Sequence, residues 1–220
     1  MAHYLITGTS SGIGAALCTR LTQAGHQVSG IARRKSRVDM SAKMLDRFHS
    51  YQSDVADATG LRETIDMAIS NAGPIDVAIL NAGIYQPQDG THIDPQIYAN
   101  HMNINYLGLL NALSEIDPNM LQARRGQIAI VSSVAGWRGL PKSAAYGPTK
   151  AALISLAESL YFDLTPKGVK LQIICPGFVE SEATAINDFE MPNLISANDA
   201  AAKIIQGMKG TDFSINFPKS

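Results

Sequence analysis

The chain has 220 residues, 45% of them hydrophobic and 17% charged, with a formal net charge of −1. That length suits one α/β domain with a sizeable core, and a charge balance this even gives no footprint for nucleic acid or for a membrane surface as a partner. No apolar run is long enough to span a bilayer, and the start reads as a first strand and not as a signal peptide. Cys18 and Cys175 are the only cysteines, and no Cys/His cluster has the spacing of metal ligands, so no metal is expected. Two buried thiols in a reducing compartment are the simplest reading, which points to the cytoplasm.

In chain order, His3-Tyr4-Leu5-Ile6-Thr7 is a short apolar run with the strand at residues 4–7. Gly8-Thr9-Ser10-Ser11-Gly12-Ile13-Gly14 follows at once. Ile13, Ala16, Leu17 and Leu21 then recur at helical spacing over residues 13–24, and Gly25 is placed to end that helix. Strand, glycine turn and helix form the setting in which a glycine loop binds a dinucleotide. Glycines let the backbone turn tightly and let a pyrophosphate reach the helix N-terminus, where free N–H groups and the helix dipole attract an anion. An ordinary glycine-rich turn is the plain alternative.

The second strand, residues 27–32, runs into Arg33-Arg34-Lys35. In nucleotide-binding folds this strand end meets the adenosine ribose, where a carboxylate suits free hydroxyls and an arginine suits a 2′-phosphate. No carboxylate stands there. Guanidinium matches phosphate in a bidentate, charge-assisted geometry, so Arg33 first and Arg34 next are expected to favour NADP(H) over NAD(H). The alternative is a solvated basic loop.

A short helix is expected near residues 37–47, a third strand at 50–52 and a helix at 58–71 with Asp57 placed to cap it. The fourth strand, 77–80, closes on Asn81-Ala82-Gly83, and one long helix is expected over 96–121. The fifth strand, 127–131, leads to Ser132-Ser133. In Ala-Ala-Tyr-Gly-Pro-Thr-Lys-Ala-Ala, Tyr146 and Lys150 share one helix face. A neighbouring ammonium favours the phenolate and lowers a pKa that starts near ~10. Moving a proton on or off an alcohol oxygen near neutral pH needs that adjustment. A helix is read over 144–164, but Pro148 is tolerable only in its first turn, so the helix should start near residue 145 or 146. Strands at 170–174 and 213–217 flank a helix at 198–208. The alternation signals a parallel sheet with helices on both faces.

With Thr7-Gly8-x-x-x-Gly12-x-Gly14, Asn81-Ala82-Gly83, Ser133, Tyr146-x-x-x-Lys150 and Pro176-Gly177 in order, the chain resembles the short-chain dehydrogenase/reductase family over nearly its whole length. The resemblance implies a three-layer, doubly wound Rossmann-like sheet of order 3-2-1-4-5-6-7, in one domain over residues 1–220 with the active site integral to it.

It also implies roles. Tyr146 would exchange a proton with the substrate oxygen, and Lys150 would lower the tyrosine pKa and hold the nicotinamide ribose. Ser133 would hydrogen-bond the substrate oxygen. The family spacing selects it over Ser132, and alternation lets only one of the two face the pocket. Asn105, the asparagine with a glycine three residues later, would anchor a water that passes protons to Lys150; its plain alternative is an amide that satisfies a local kink. Gly8, Ser10, Ser11, Gly12, Ile13 and Gly14 would cradle the pyrophosphate, although Ser11 stands where some NADP-using relatives carry a basic residue. Asp54 and Val55 would meet the adenine, and Asn81, Ala82 and Gly83 would let the backbone pass close to the cofactor. Pro176, Gly177, Val179 and Ser181 would lie beside the nicotinamide.

The implied activity is hydride transfer between NADP(H) and a small-molecule carbonyl or secondary-alcohol substrate, by a homo-oligomer (dimer or tetramer). A non-catalytic NADP(H)-sensing protein on the same fold is the alternative, but it would be expected to lose Tyr146 or Lys150. Trp137 and Arg138 could contact substrate or pack under their loop. The short segment 178–192 suggests an open site. His92 and His101 read as surface or helix residues, and the Gly-x-Ser-x-Gly of serine hydrolases is absent.

Overall fold

The computed structural model describes residues 1–34, 47–88 and 90–218. Its strands are β1 (His3–Thr7), β2 (Gln27–Ala32), β3 (Phe48–Gln52), β4 (Val77–Leu80), β5 (Gln127–Val131), β6 (Lys170–Pro176) and β7 (Ser214–Phe217). They form one sheet of order β3-β2-β1-β4-β5-β6-β7, parallel at every pairing. All-parallel sheets are covered on both faces, so their strands read as nearly unbroken apolar runs. Every residue of β4, Val-Ala-Ile-Leu, is buried.

Successive strand residues feed opposite layers. Leu5, Ala78, Leu80, Ile128 and Ile130 join a core with α2 (Ala58–Ala72), α4 (Gly108–Ala123) and α5 (Tyr146–Leu164). Ile6, Ile79, Ala129 and Val131 join the other core with α1 (Gly12–Gln23) and α6 (Ala197–Lys209). Strand order reverses between β1 and β4, and in open α/β sheets that switch point, at the carboxyl ends of the strands, is where ligands bind. The Rossmann-like fold and strand order are those expected.

Three boundaries carry information. Helix α5 begins at Tyr146, so Pro148 falls in its first turn, as its missing N–H requires. The helix expected over 96–121 is not one uniform element. It consists of α3 (Pro95–Met102), a π-helical turn at Asn103–Leu107, and α4. The widened turn centres on Asn105, whose amide bonds away from its own helix. Strand β6 runs to Pro176, which pairs with Phe217. The short helix expected near residues 37–47 falls, apart from Arg47, outside the described residues, as does Lys35. Among the described residues no helix is long and apolar enough to cross a membrane.

Candidate active site

The glycine loop is locked to the end of β4 by Thr7. Its Oγ1 accepts from the N–H groups of Asn81 and Ala82, each at 3.0 Å. The Asn81 amide donates back to the carbonyls of Thr7 (3.1 Å) and Gly8 (3.2 Å). Glycine is required at two points here. Gly8 has φ +75 and a Cβ would lie 2.8 Å from Ala82 Cα, while a Cβ on Gly14 would overlap the Gly8 carbonyl oxygen. Helix α1 then starts with Ser11 as N-cap, without a side-chain capping bond and with no acid in its first turn. Backbone donors and the positive end of the dipole are thereby left for an external anion.

Gly8, Ser10, Ser11, Gly12 and Ile13 form one wall of a cavity of about 440 Å³. Arg33, Arg34, Asp54 and Val55 close its far end, and Asn81, Ala82 and Gly83 its floor. Gly14 lies beneath, where it allows the close packing just described. Arg33 Nη1 is 3.9 Å from Asp54 Oδ2. Arg34 Nη2 donates to Ser10 Oγ (2.9 Å), Ser11 Oγ (3.4 Å) and Glu182 Oε2 (2.7 Å). Asp54 also accepts from Ala56 N–H at 3.0 Å, and Asp57, not Asp54, caps α2 through Gly60 N–H. A glycine loop, an uncapped helix N-terminus and two half-exposed guanidinium groups at the second strand could hold a dinucleotide bearing a 2′-phosphate.

An adjoining cavity of about 400 Å³ contains Ser133, Tyr146 and Lys150 in its wall, together with Pro176, Gly177, Val179 and Ser181. The two serines after β5 diverge. Ser132 is buried and donates to the Lys150 carbonyl at 2.8 Å. Ser133 caps a 3₁₀ turn by accepting from Ala135 N–H at 3.1 Å and lines the cavity beside Tyr146. The Lys150 Nζ donates to Val131 O at 3.0 Å and sits 5.5 Å from the centre of the Tyr146 ring.

Burial pushes the Tyr146 phenol up to about 12, against an opposing influence of the Ser133 hydroxyl, and pushes the Lys150 ammonium down to about 8. The expectation that Lys150 would lower the tyrosine is therefore corrected. Both groups are desolvated, and desolvation favours the neutral form of each.

Asn105 is fully buried and its amide is committed to the protein. It accepts from Ile84 N–H (2.7 Å) and donates to Ile84 O (3.0 Å) and Thr149 Oγ1 (3.0 Å). Thr149 in turn donates to the Tyr146 carbonyl at 2.7 Å. This chain ties the π turn to the first turn of α5. Thr149 and Tyr85 were not singled out from the sequence. The Tyr85 ring packs edge-on against Tyr146 with centroids 5.3 Å apart, and its hydroxyl donates to Asn187 Oδ1 at 3.0 Å. Lys142 bonds both oxygens of Asp188, at 2.5 and 2.7 Å. The segment over residues 178–192, read as leaving the site open, is thus strapped across the cavity at two points.

Other expectations resolve as follows. The Ser181 hydroxyl is engaged locally with Thr184 at 3.2 Å, and Val179 pairs with Ile195. Neither Trp137 nor Arg138 is among the lining residues, and Trp137 is half exposed. His101 lies in α3, as the helix reading has it, and not at the surface. It is fully buried, with Nδ1 2.7 Å from Ile97 O and Nε2 accepting from Gln86 N–H at 3.1 Å. Cys18 and Cys175 are buried free thiols, both pushed up by burial.

Comparison with known proteins gives a consistent result. The family model described as short chain dehydrogenase matches residues 2–190. An uncharacterized oxidoreductase of Myxococcus xanthus (strain DK1622) is 34% identical over 218 residues, 97% of this chain and 86% of that protein. The 3-oxoacyl-[acyl-carrier-protein] reductase FabG of Staphylococcus aureus (strain Mu50 / ATCC 700699) is 33% identical over 191 residues, 84% of this chain and 77% of that one. Among solved structures, NADP-bound ElxO is 25% identical with a TM-score of 0.85, covering 98% of this chain and 97% of its own.

Proposed function

The chain belongs to the short-chain dehydrogenase family and is an oxidoreductase, and from that premise we propose that it transfers hydride between NADP(H) and a carbonyl or secondary-alcohol substrate, with Tyr146 as general acid/base. One observation carries the reading. Ser133, Tyr146 and Lys150 together line the cavity that adjoins the glycine-loop cleft. Bound nicotinamide would supply the hydride in reduction and accept it in oxidation.

Tyr146 gives its proton to the carbonyl oxygen as charge develops there, and Ser133 holds the same oxygen by a hydrogen bond. Lys150, with its pKa lowered to about 8, is placed to return a proton to the tyrosine near neutral pH. Asn105 and Thr149 fix the first turn of α5 and so keep the tyrosine in register. Arg33 and Arg34 would take the 2′-phosphate, which is the basis for preferring NADP(H) over NAD(H). The S. aureus relative is named as a reductase of a 3-oxoacyl compound and ElxO holds NADP, and both facts favour this reading. The sensing alternative is not favoured, because Tyr146 and Lys150 are both retained.

The test is calorimetric titration of NADPH and NADH into the wild type, Arg33→Ala and Arg34→Ala, followed by NADPH oxidation with a panel of ketones and aldehydes. The expected result is tighter NADPH binding that falls about 10- to 100-fold in an arginine variant, the range for hydrogen bonds to charged groups, with turnover abolished by Tyr146→Phe. Equal affinity for NADH would remove the cofactor preference. Turnover undiminished in Tyr146→Phe would remove the catalytic assignment.

A further inference from the structure

The cavity beside Tyr146 has a lining whose chemistry narrows the substrate. Away from the reacting hydroxyls it is built from Ile84, Val134, Leu140, Phe178, Phe189 and Pro192. The Phe178 and Phe189 rings pack edge-to-face, 6.0 Å between centroids, and stiffen its roof. Two polar groups of that lining are already paired. Tyr85 donates to Asn187, and the Asn187 amide donates to Met191 Sδ at 3.4 Å.

Charge is decisive. Among the described residues, Lys150 is the one cation in the lining, and it is buried, turned to Val131 O and tied to the tyrosine chemistry. Lys142, close by, is paired with Asp188. The other charged lining residue is Glu190, exposed at the rim. A carboxylate or phosphate on the substrate would leave water, find no counter-ion and pass an anion on entry. An unpaired charge is costly to bury, whereas an apolar group gains from leaving water.

We infer that the substrate is an uncharged, largely apolar ketone or aldehyde with an aryl or alkyl body, and that carbonyl compounds bearing a carboxylate or phosphate are rejected at this pocket. The inference rests on the oxidoreductase reading above and adds the substrate class to it. The cavity of about 400 Å³, which the substrate would share with the nicotinamide, falls within the range of small-molecule sites.

The test uses two probes of nearly one shape that differ in charge, methyl 4-acetylbenzoate and 4-acetylbenzoate. Each is assayed with NADPH at pH 7, and each is titrated calorimetrically into the protein without turnover. The ester is expected to show kcat/KM about 100-fold or more above the carboxylate, with the difference mostly in KM, as the cost of an unpaired buried charge requires. Binding of the ester alone is expected in the titration. Leu140→Arg, which places a cation in the apolar wall, is expected to narrow the ratio by about tenfold or more.

Carboxylate turnover equal to or faster than that of the ester would overturn the inference and leave the oxidoreductase reading standing. If neither probe is turned over but the ester alone binds, the pocket's rejection of charge is upheld and the hydride-transfer reading falls. If the carboxylate binds as tightly as the ester, or neither binds, the inference falls.

Discussion

Asn105 offers a test of what holds the catalytic turn together. Its amide makes three bonds: 2.7 Å from Ile84 N–H, 3.0 Å to Ile84 O and 3.0 Å to Thr149 Oγ1. Replacing it with alanine strands two backbone groups of Ile84. Thr149 keeps its donation to the Tyr146 carbonyl. A buried polar group left without a partner costs about 1–3 kcal/mol. Ile84 is only partly buried, so water can reach it in part, and the expected total is about 2–3 kcal/mol, near the low end for two groups. For a chain of this length each kcal/mol lowers Tm by roughly 2–4 °C, so Asn105→Ala should unfold roughly 4–12 °C below the wild type. Scanning calorimetry of the two proteins in one buffer measures this directly. Activity at 25 °C should fall as well, because the π turn and the first turn of α5 lose their link. A Tm within about 1 °C of the wild type would show that water replaces the amide without cost, and would refute the positioning role.

The two serines should separate by phenotype. Ser133→Ala should lower kcat by roughly 100-fold or more, since it removes a donor to the reacting oxygen, and should also cost about 1 kcal/mol for the lost cap on Ala135 N–H. Ser132→Ala should cost about 1 kcal/mol of stability by removing the buried bond to Lys150 O, as thermal melts of both variants will show. The depressed lysine gives a signed pH effect. Between about 8 and the ordinary 10.5 the unfolded chain holds a proton on Lys150 that the folded chain has released. Lys150 therefore makes stability rise with pH across that window, and Lys150→Met should flatten the slope in melts taken from pH 8 to 10. A third expectation concerns Arg34, whose guanidinium is 2.7 Å from Glu182. A 2′-phosphate must compete with that carboxylate, so Glu182→Gln should tighten NADPH binding several-fold, in line with a half-exposed ion pair worth at most about 1 kcal/mol, and should alter NADH binding less.

Features that depend on local spacing were legible in the sequence, and features that depend on distant partners were not. The glycine loop, the Tyr146–Lys150 face and the start of α5 at Pro148 are set within a turn or two of chain. The break in the helix expected over 96–121 is not, because it arises where Asn105 reaches back to Ile84. His101 reads as an ordinary helix residue until Gln86 N–H fills its second nitrogen. The straps over the cavity join Tyr85 to Asn187 and Lys142 to Asp188, pairs that no local pattern brings together.

The tyrosine pKa went wrong for a related reason. A sequence displays the charge of a neighbour but not the depth at which both groups sit, and here depth outweighs charge. That outcome bears on the direction of the chemistry. With its phenol held near 12, Tyr146 rests protonated throughout the neutral range, which is the form that a carbonyl reduction consumes. Alcohol oxidation would need the phenolate, so on the free protein's groups alone it should quicken with rising pH, whereas reduction should not. On the proposed mechanism, the apolar lining that desolvates the Tyr146 phenol also favours an uncharged substrate, so the two proposals share one physical cause.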